Sequence, residues 1–216
     1  MIATVCALLI ACSGFAQTSA SADGRAHIAF TVENPKAQPA MYSVVIYEDG
    51  SGSYTGSAEE DGASPKGGRP IHIDGTLASS IFEAARARHF FAAACETRQH
   101  DVAFTGKKTL AYAGPDGSGS CTFNYSRDKS LNKIAEELEA ISYTLEEGTR
   151  LKSEQRHDRL SLDNELASLQ VAAQERRALD LGNIAEELKS IANDNAVMER
   201  ARARAQSMLA ESAPVR

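Results

Sequence analysis

Twice in this chain an Asp-Gly step separates two short extended runs, and that pattern limits the fold more than any other feature. Tyr42-Ser43-Val44-Val45-Ile46-Tyr47 is β-branched and aromatic, Glu48-Asp49-Gly50-Ser51-Gly52 supplies turn chemistry, and Ser53-Tyr54-Thr55-Gly56 returns. Glycine takes positive φ without a Cβ clash, so such a step between strand formers predicts a β-hairpin. Lys108 to Tyr112 and Ser120 to Tyr125 flank Pro115-Asp116-Gly117-Ser118-Gly119 in the same way. In the second return strand Cys121, Phe123 and Tyr125 share one face and Thr122 and Asn124 the other. That is the alternation of a half-buried antiparallel strand.

Other segments complete a sheet and its cover. Ala26 to Val32 alternates weakly and ends at Asn34-Pro35, and Pro70-Ile71-His72-Ile73 reads as a short strand. Asp74 or Thr76 can cap a helix whose Leu77, Ile81, Ala84 and Ala85 share one face. Leu131, Ile134, Leu138, Ile141 and Leu145 recur at spacings of three and four, predicting a second helix able to cover a sheet, with Gly148 as its stop. After about Arg150 strand formers vanish. Three apolar stripes follow: Leu162, Leu166, Leu169 and Ala173; then Leu181, Ile184, Leu188 and Ile191; then Val197, Met198, Ala201, Ala205 and Met208. The second stripe echoes the Leu131–Ile141 run at an offset of 191 − 141 = 50, a similarity that dies outside the shared Leu, Ile, Ala and Glu. Shared helical patterning accounts for it better than a solenoid repeat.

The predicted fold class is α+β: an antiparallel sheet of two hairpins plus extra strands, with helices on one face, followed by an all-α C-terminal helical bundle. The expected divisions are a signal segment over 1–16 (or to 11), a linker over 17–25, an α+β domain over 26–148, a helical bundle over 149–210 and a disordered end over 211–216.

The N-terminal run Ile2 to Ala11 is apolar and uncharged. At about ten residues it is too short to span a bilayer, which takes roughly 20, and it reads as the h-region of a signal peptide. Gly14-Phe15-Ala16 suits cleavage before Gln17. Leu9-Ile10-Ala11-Cys12 instead matches a bacterial lipobox, in which Cys12 would carry lipid. No Lys or Arg precedes the run, which suits neither pattern. The expected location is therefore exported, periplasmic or secreted, or lipid-anchored through Cys12, with no transmembrane span. A net charge of −6 argues against a nucleic-acid partner, whose phosphates need a basic stripe.

Outside the signal run Cys95 and Cys121 are the only cysteines, and an exported compartment lets them bond. Such a bridge would stabilise the fold by about 3.5 kcal/mol in the chain-entropy model.

Residues with chemical potential are scattered. His89, Cys95, His100 and Asp101 form the densest cluster, but their spacing fits no zinc template, and a disulfide at Cys95 removes the thiol. His72 and Asp74 would share a strand face, as two triad members can, yet no Gly-x-Ser-x-Gly elbow supplies a nucleophile. His72, Asp74 and His100 therefore stand as a surface site of last resort, with no catalytic, cofactor or metal ligand set. Arg200, Arg202 and Arg204, with Arg176 and Arg177, could face an acidic partner, but interleaved acids favour a solvated face.

The run Tyr42 to Gly50, continuing through Tyr54-Thr55-Gly56 to a strand and a helix ending near Phe90-Phe91, resembles a bacterial family of exported domains of unknown function. Its members carry a Tyr-x-hydrophobic-x-Ile-x-x-Asp-Gly hairpin followed by a helix. The resemblance spans about Ala26 to Gly148 and implies no activity. The expected function is a non-catalytic module binding another envelope protein or the envelope itself. The alternatives are an exported hydrolase with a site near His72 and Asp74, and a periplasmic inhibitor or chaperone-like binder.

Overall fold

The computed structural model describes residues 24–56, 67–99 and 102–212; the signal segment, the linker as far as Asp23, Cys12, His100 and Asp101 lie outside them. Both Asp-Gly steps close hairpins: β2 (Met41–Tyr47) with β3 (Ser51–Thr55), and β5 (Lys107–Gly114) with β6 (Gly117–Phe123). The N-terminal strand β1 (His27–Glu33) lies between the hairpins, and β4 (Arg69–His72) lies outside β3. The six strands run in the order β4-β3-β2-β1-β5-β6, every neighbour antiparallel.

The turns are shorter than expected. Ser51 and Gly52 belong to β3, and Gly117 to Gly119 belong to β6, leaving Pro115-Asp116 as the second turn. The reason is a close crossing. After α1 (Gly75–Ala87) a single 3-10 turn, His89–Phe91, lies over β6 on the sheet's inner face. A Cβ on Gly117 would fall 2.2 Å from a Phe90 ring carbon, and one on Gly119 2.5 Å from the Phe90 carbonyl oxygen. Both glycines thus give up side chains to backbone contact. Next along that face Cys121 bonds to Cys95, as expected, with Cα atoms 5.9 Å apart. At the end of the sheet that holds both hairpin turns, Arg86 of α1 binds Asp116 at 2.6 Å and also binds Glu48. One guanidinium thus clamps both turns to the helix.

Period-two alternation buries Ile28, Phe30, Val44, Ile46, Leu110 and Tyr112 against α1 and α2. Asp74 caps α1, accepting from the amides of Thr76 and Leu77, and Asp128 caps α2 (Lys129–His157) through the Leu131 amide. Gly148 does not end α2, which runs on to His157. A Cβ at Gly148 would lie 2.4 Å from Ile184 Cγ2, so this glycine admits a packing neighbour rather than a helix stop. The sequence signal was real, and its cause was tertiary.

The three later stripes form α3 (Leu162–Gln174), α4 (Ala185–Asn193), entered through a 3-10 turn at Leu181–Ile184, and α5 (Glu199–Ser212). They bury Leu162, Leu166, Leu188, Ile191, Ala201 and Met208 in a second core. α2 serves both cores: Leu131 to Leu145 lie in the first and Leu151 in the second. Arg200 and Arg204 converge on the nearly buried Asp163 of α3, at 2.8 and 3.1 Å.

A second tie joins the helical region to the sheet. Asn183 presents its side-chain amide to edge strand β4 as a neighbouring strand would. Its Oδ1 accepts from the His72 N–H at 2.8 Å, and its Nδ2 donates to the His72 carbonyl at 2.8 Å. Arg69 reaches the Asn183 carbonyl at 2.7 Å and Glu187 at 2.9 Å.

Candidate functional site

Because α2 extends past the sheet and the chain after α3 returns along it, a groove of about 950 Å³ forms between them. Its lining comes from three places: Pro39 and Tyr42 at the start of β2, Ser142 and Tyr143 on α2, and Arg176, Arg177 and Leu179 from the α3–α4 connection. That connection is fixed to α2. The Thr144 hydroxyl donates to the Leu179 carbonyl at 2.8 Å, and the Leu179 N–H donates to the Ala140 carbonyl at 3.4 Å. Its bend depends on two residues in left-handed backbone, Arg176 at φ 59° and Asp180 at φ 52°.

Carboxylates dominate the lining, with six glutamates against four cations. Most are already engaged. Glu139 meets Lys108 at 2.8 Å, Glu147 binds Arg150, and Glu175 meets Arg177 at 2.7 Å. Tyr54 donates to Glu146. Glu137 meets Lys133 at a long 3.8 Å, and burial pushes its carboxyl above the ordinary glutamate range. Burial first, then the charges of Glu139 and Glu146, raise the Tyr42 phenol far above the usual tyrosine range. Burial and then Glu147 also raise the Tyr143 phenol above its ordinary value. Both tyrosines therefore remain neutral hydroxyls in a negative field. Fixed acceptors and neutral phenols suit recognition of donors and cations. The glutamates are held as hydrogen-bond acceptors, and Ser142 Oγ donates to its own helix at Leu138.

The residues singled out in the sequence lie elsewhere. His72 ends β4 on its exposed face, and Asp74 stands just beyond the strand with its carboxylate occupied as the α1 cap. Hydrogen bonds from Thr76 and Leu77 hold the Asp74 carboxyl below the usual range. His89 is exposed on the 3-10 turn, and Cys95 is oxidised. Among the described residues no group of three or more His, Cys, Asp or Glu is placed to hold a metal ion. No helix among them is long and apolar enough to cross a membrane.

Sequence reasoning passed over the groove because its glutamates read as the solvated side of α2. Glu136, Glu139, Tyr143, Glu146, Glu147 and Arg150 do recur at helical spacings, but nothing local shows that a distant turn covers them. No family model, curated protein or solved structure matches the chain.

Proposed function

We propose that this is an exported, non-catalytic binding module whose groove holds an extended basic segment of a partner protein in the envelope. The carrying observation is the excess of acid in the groove lining, six glutamates against four cations. A Lys or Arg side chain entering there meets Glu136 and Glu137 in the lining. The tyrosine hydroxyls can bond a passing backbone. The Cys95–Cys121 bridge supports an oxidising compartment.

Calorimetry with short, unstructured peptides tests this. A Lys-rich peptide binds, and binding weakens as salt screens the charges. The E136K/E137K variant loses about tenfold in affinity, some 1.4 kcal/mol. A Glu-rich peptide that binds instead, or a Lys-rich peptide indifferent to the double reversal, overturns the reading.

A further inference from the structure

The two edges of the sheet are finished differently. On the β4 edge Pro70 lacks an N–H, and the Asn183 amide occupies the backbone of His72. The β6 edge carries neither of the side-chain devices that keep strand edges apart, since residues 117–123 include no charge and no proline. Just past the strand the edge is closed, since Glu96 accepts from the Asn124 N–H at 2.6 Å and the Thr97 N–H donates to the Tyr125 carbonyl at 2.8 Å. Among the described residues, β5 is the only strand paired with β6.

We infer that the β6 edge pairs antiparallel with β6 of a second copy about a two-fold axis at Ser120, making a continuous twelve-stranded sheet. The occupant is a second copy because the strand is complementary to itself. Across such an axis Ser118 faces the partner's Thr122, and Ser120 faces its own counterpart, a ladder of hydroxyls on the exposed face. That ladder continues the Thr109–Thr122 hydroxyl pair, at 3.0 Å within one chain. On the inner face Gly117 would oppose Phe123, and Gly119 would oppose Cys121, small against large at each position. With no charge in the strand, the two copies meet without like-charge repulsion.

Sedimentation of the full chain over a wide concentration range, with Ser120 variants, tests the inference. The unaltered chain dimerises reversibly. S120K leaves the melting temperature unchanged, because Ser120 is exposed, and yields monomer at every concentration. S43K, on the same sheet face but on β2, still dimerises. Under mild oxidation S120C crosslinks two chains through residue 120, as a directly opposed pair requires. A monomeric unaltered chain, a dimer that persists in S120K, or a dimer in which S120C does not crosslink overturns the proposal. A β6 edge that captures only unrelated extended peptides overturns it too.

Discussion

Tyr54 on β3 donates its phenolic hydrogen to Glu146 on α2, 92 residues further along the chain. This bond crosses from the return strand of the first hairpin to the helix that walls the groove. Burial and the bond to Glu146 raise the Tyr54 phenol far above its usual range, so it remains a donor at any ordinary pH. Y54F keeps the ring packing and removes this donor from a part-buried carboxylate. The expected loss is about 1–2 kcal/mol, read from denaturant unfolding. A neutral Y54F would show that the bond is replaced by water at no cost.

Glu147 gives the groove a pH dependence. Its side chain is 2% exposed beside Arg150, and burial outweighs that partner, raising the carboxyl above the ordinary glutamate range. A carboxyl raised on folding binds more protons in the folded state, so its contribution to stability falls as pH rises from the unfolded value through the folded one. Glutamine cannot titrate. The melting temperature of the parent minus that of E147Q should therefore shrink as pH rises through that window. A difference that stays flat or grows contradicts the assignment.

Asn183 stands in for a strand, and an amide is the only side chain of its shape that offers both a donor and an acceptor to His72. N183A should cost about 1–2 kcal/mol for the lost bonds to the His72 backbone and the Asp180 carbonyl. N183D is isosteric but sets an acceptor against the His72 carbonyl, so it should not rescue the loss. Hydrogen exchange at the His72 amide should accelerate in both variants.

Glycine to alanine inside a helix normally stabilises by about 1 kcal/mol. At Gly148 the sign should reverse, because the new methyl meets Ile184. A destabilisation of about 1–3 kcal/mol is expected from overpacking. The penalty should be smaller in an I184A background, a coupling that a double-mutant cycle measures. Stabilisation by G148A would mean that Ile184 does not pack there.

Legibility in the sequence followed the range of the interactions. Both hairpins, the Asp74 cap and the apolar stripes of α2 to α5 rest on local chemistry and short periods, and each could be read directly. The Cys95–Cys121 bridge was accessible because no other cysteine lies outside the signal run. What stayed hidden depended on contacts between distant segments. Gly117, Gly119 and Gly148 look like turn or stop signals, but each is a place where another segment touches backbone. The left-handed backbone of His89, Phe90 and Phe91 carries no glycine to announce it; the buried Phe91 and the Phe90 contact over Gly117 hold it. The groove was unreadable for the same reason, since Tyr42 and Leu179 meet across α2 only in the folded chain.

The groove between α2 and the α3–α4 connection is the proposed binding surface. Titrating a Lys-rich peptide into isotopically labelled protein and following backbone amide shifts by NMR tests it most directly. The largest changes should fall at residues 133–150 and 175–179 and around Tyr42, while the exposed Ser118, Ser120 and Thr122 of β6 stay unmoved. Shifts gathered at His72 and Asp74, or spread over the helix-free face of the sheet with the groove silent, would contradict it.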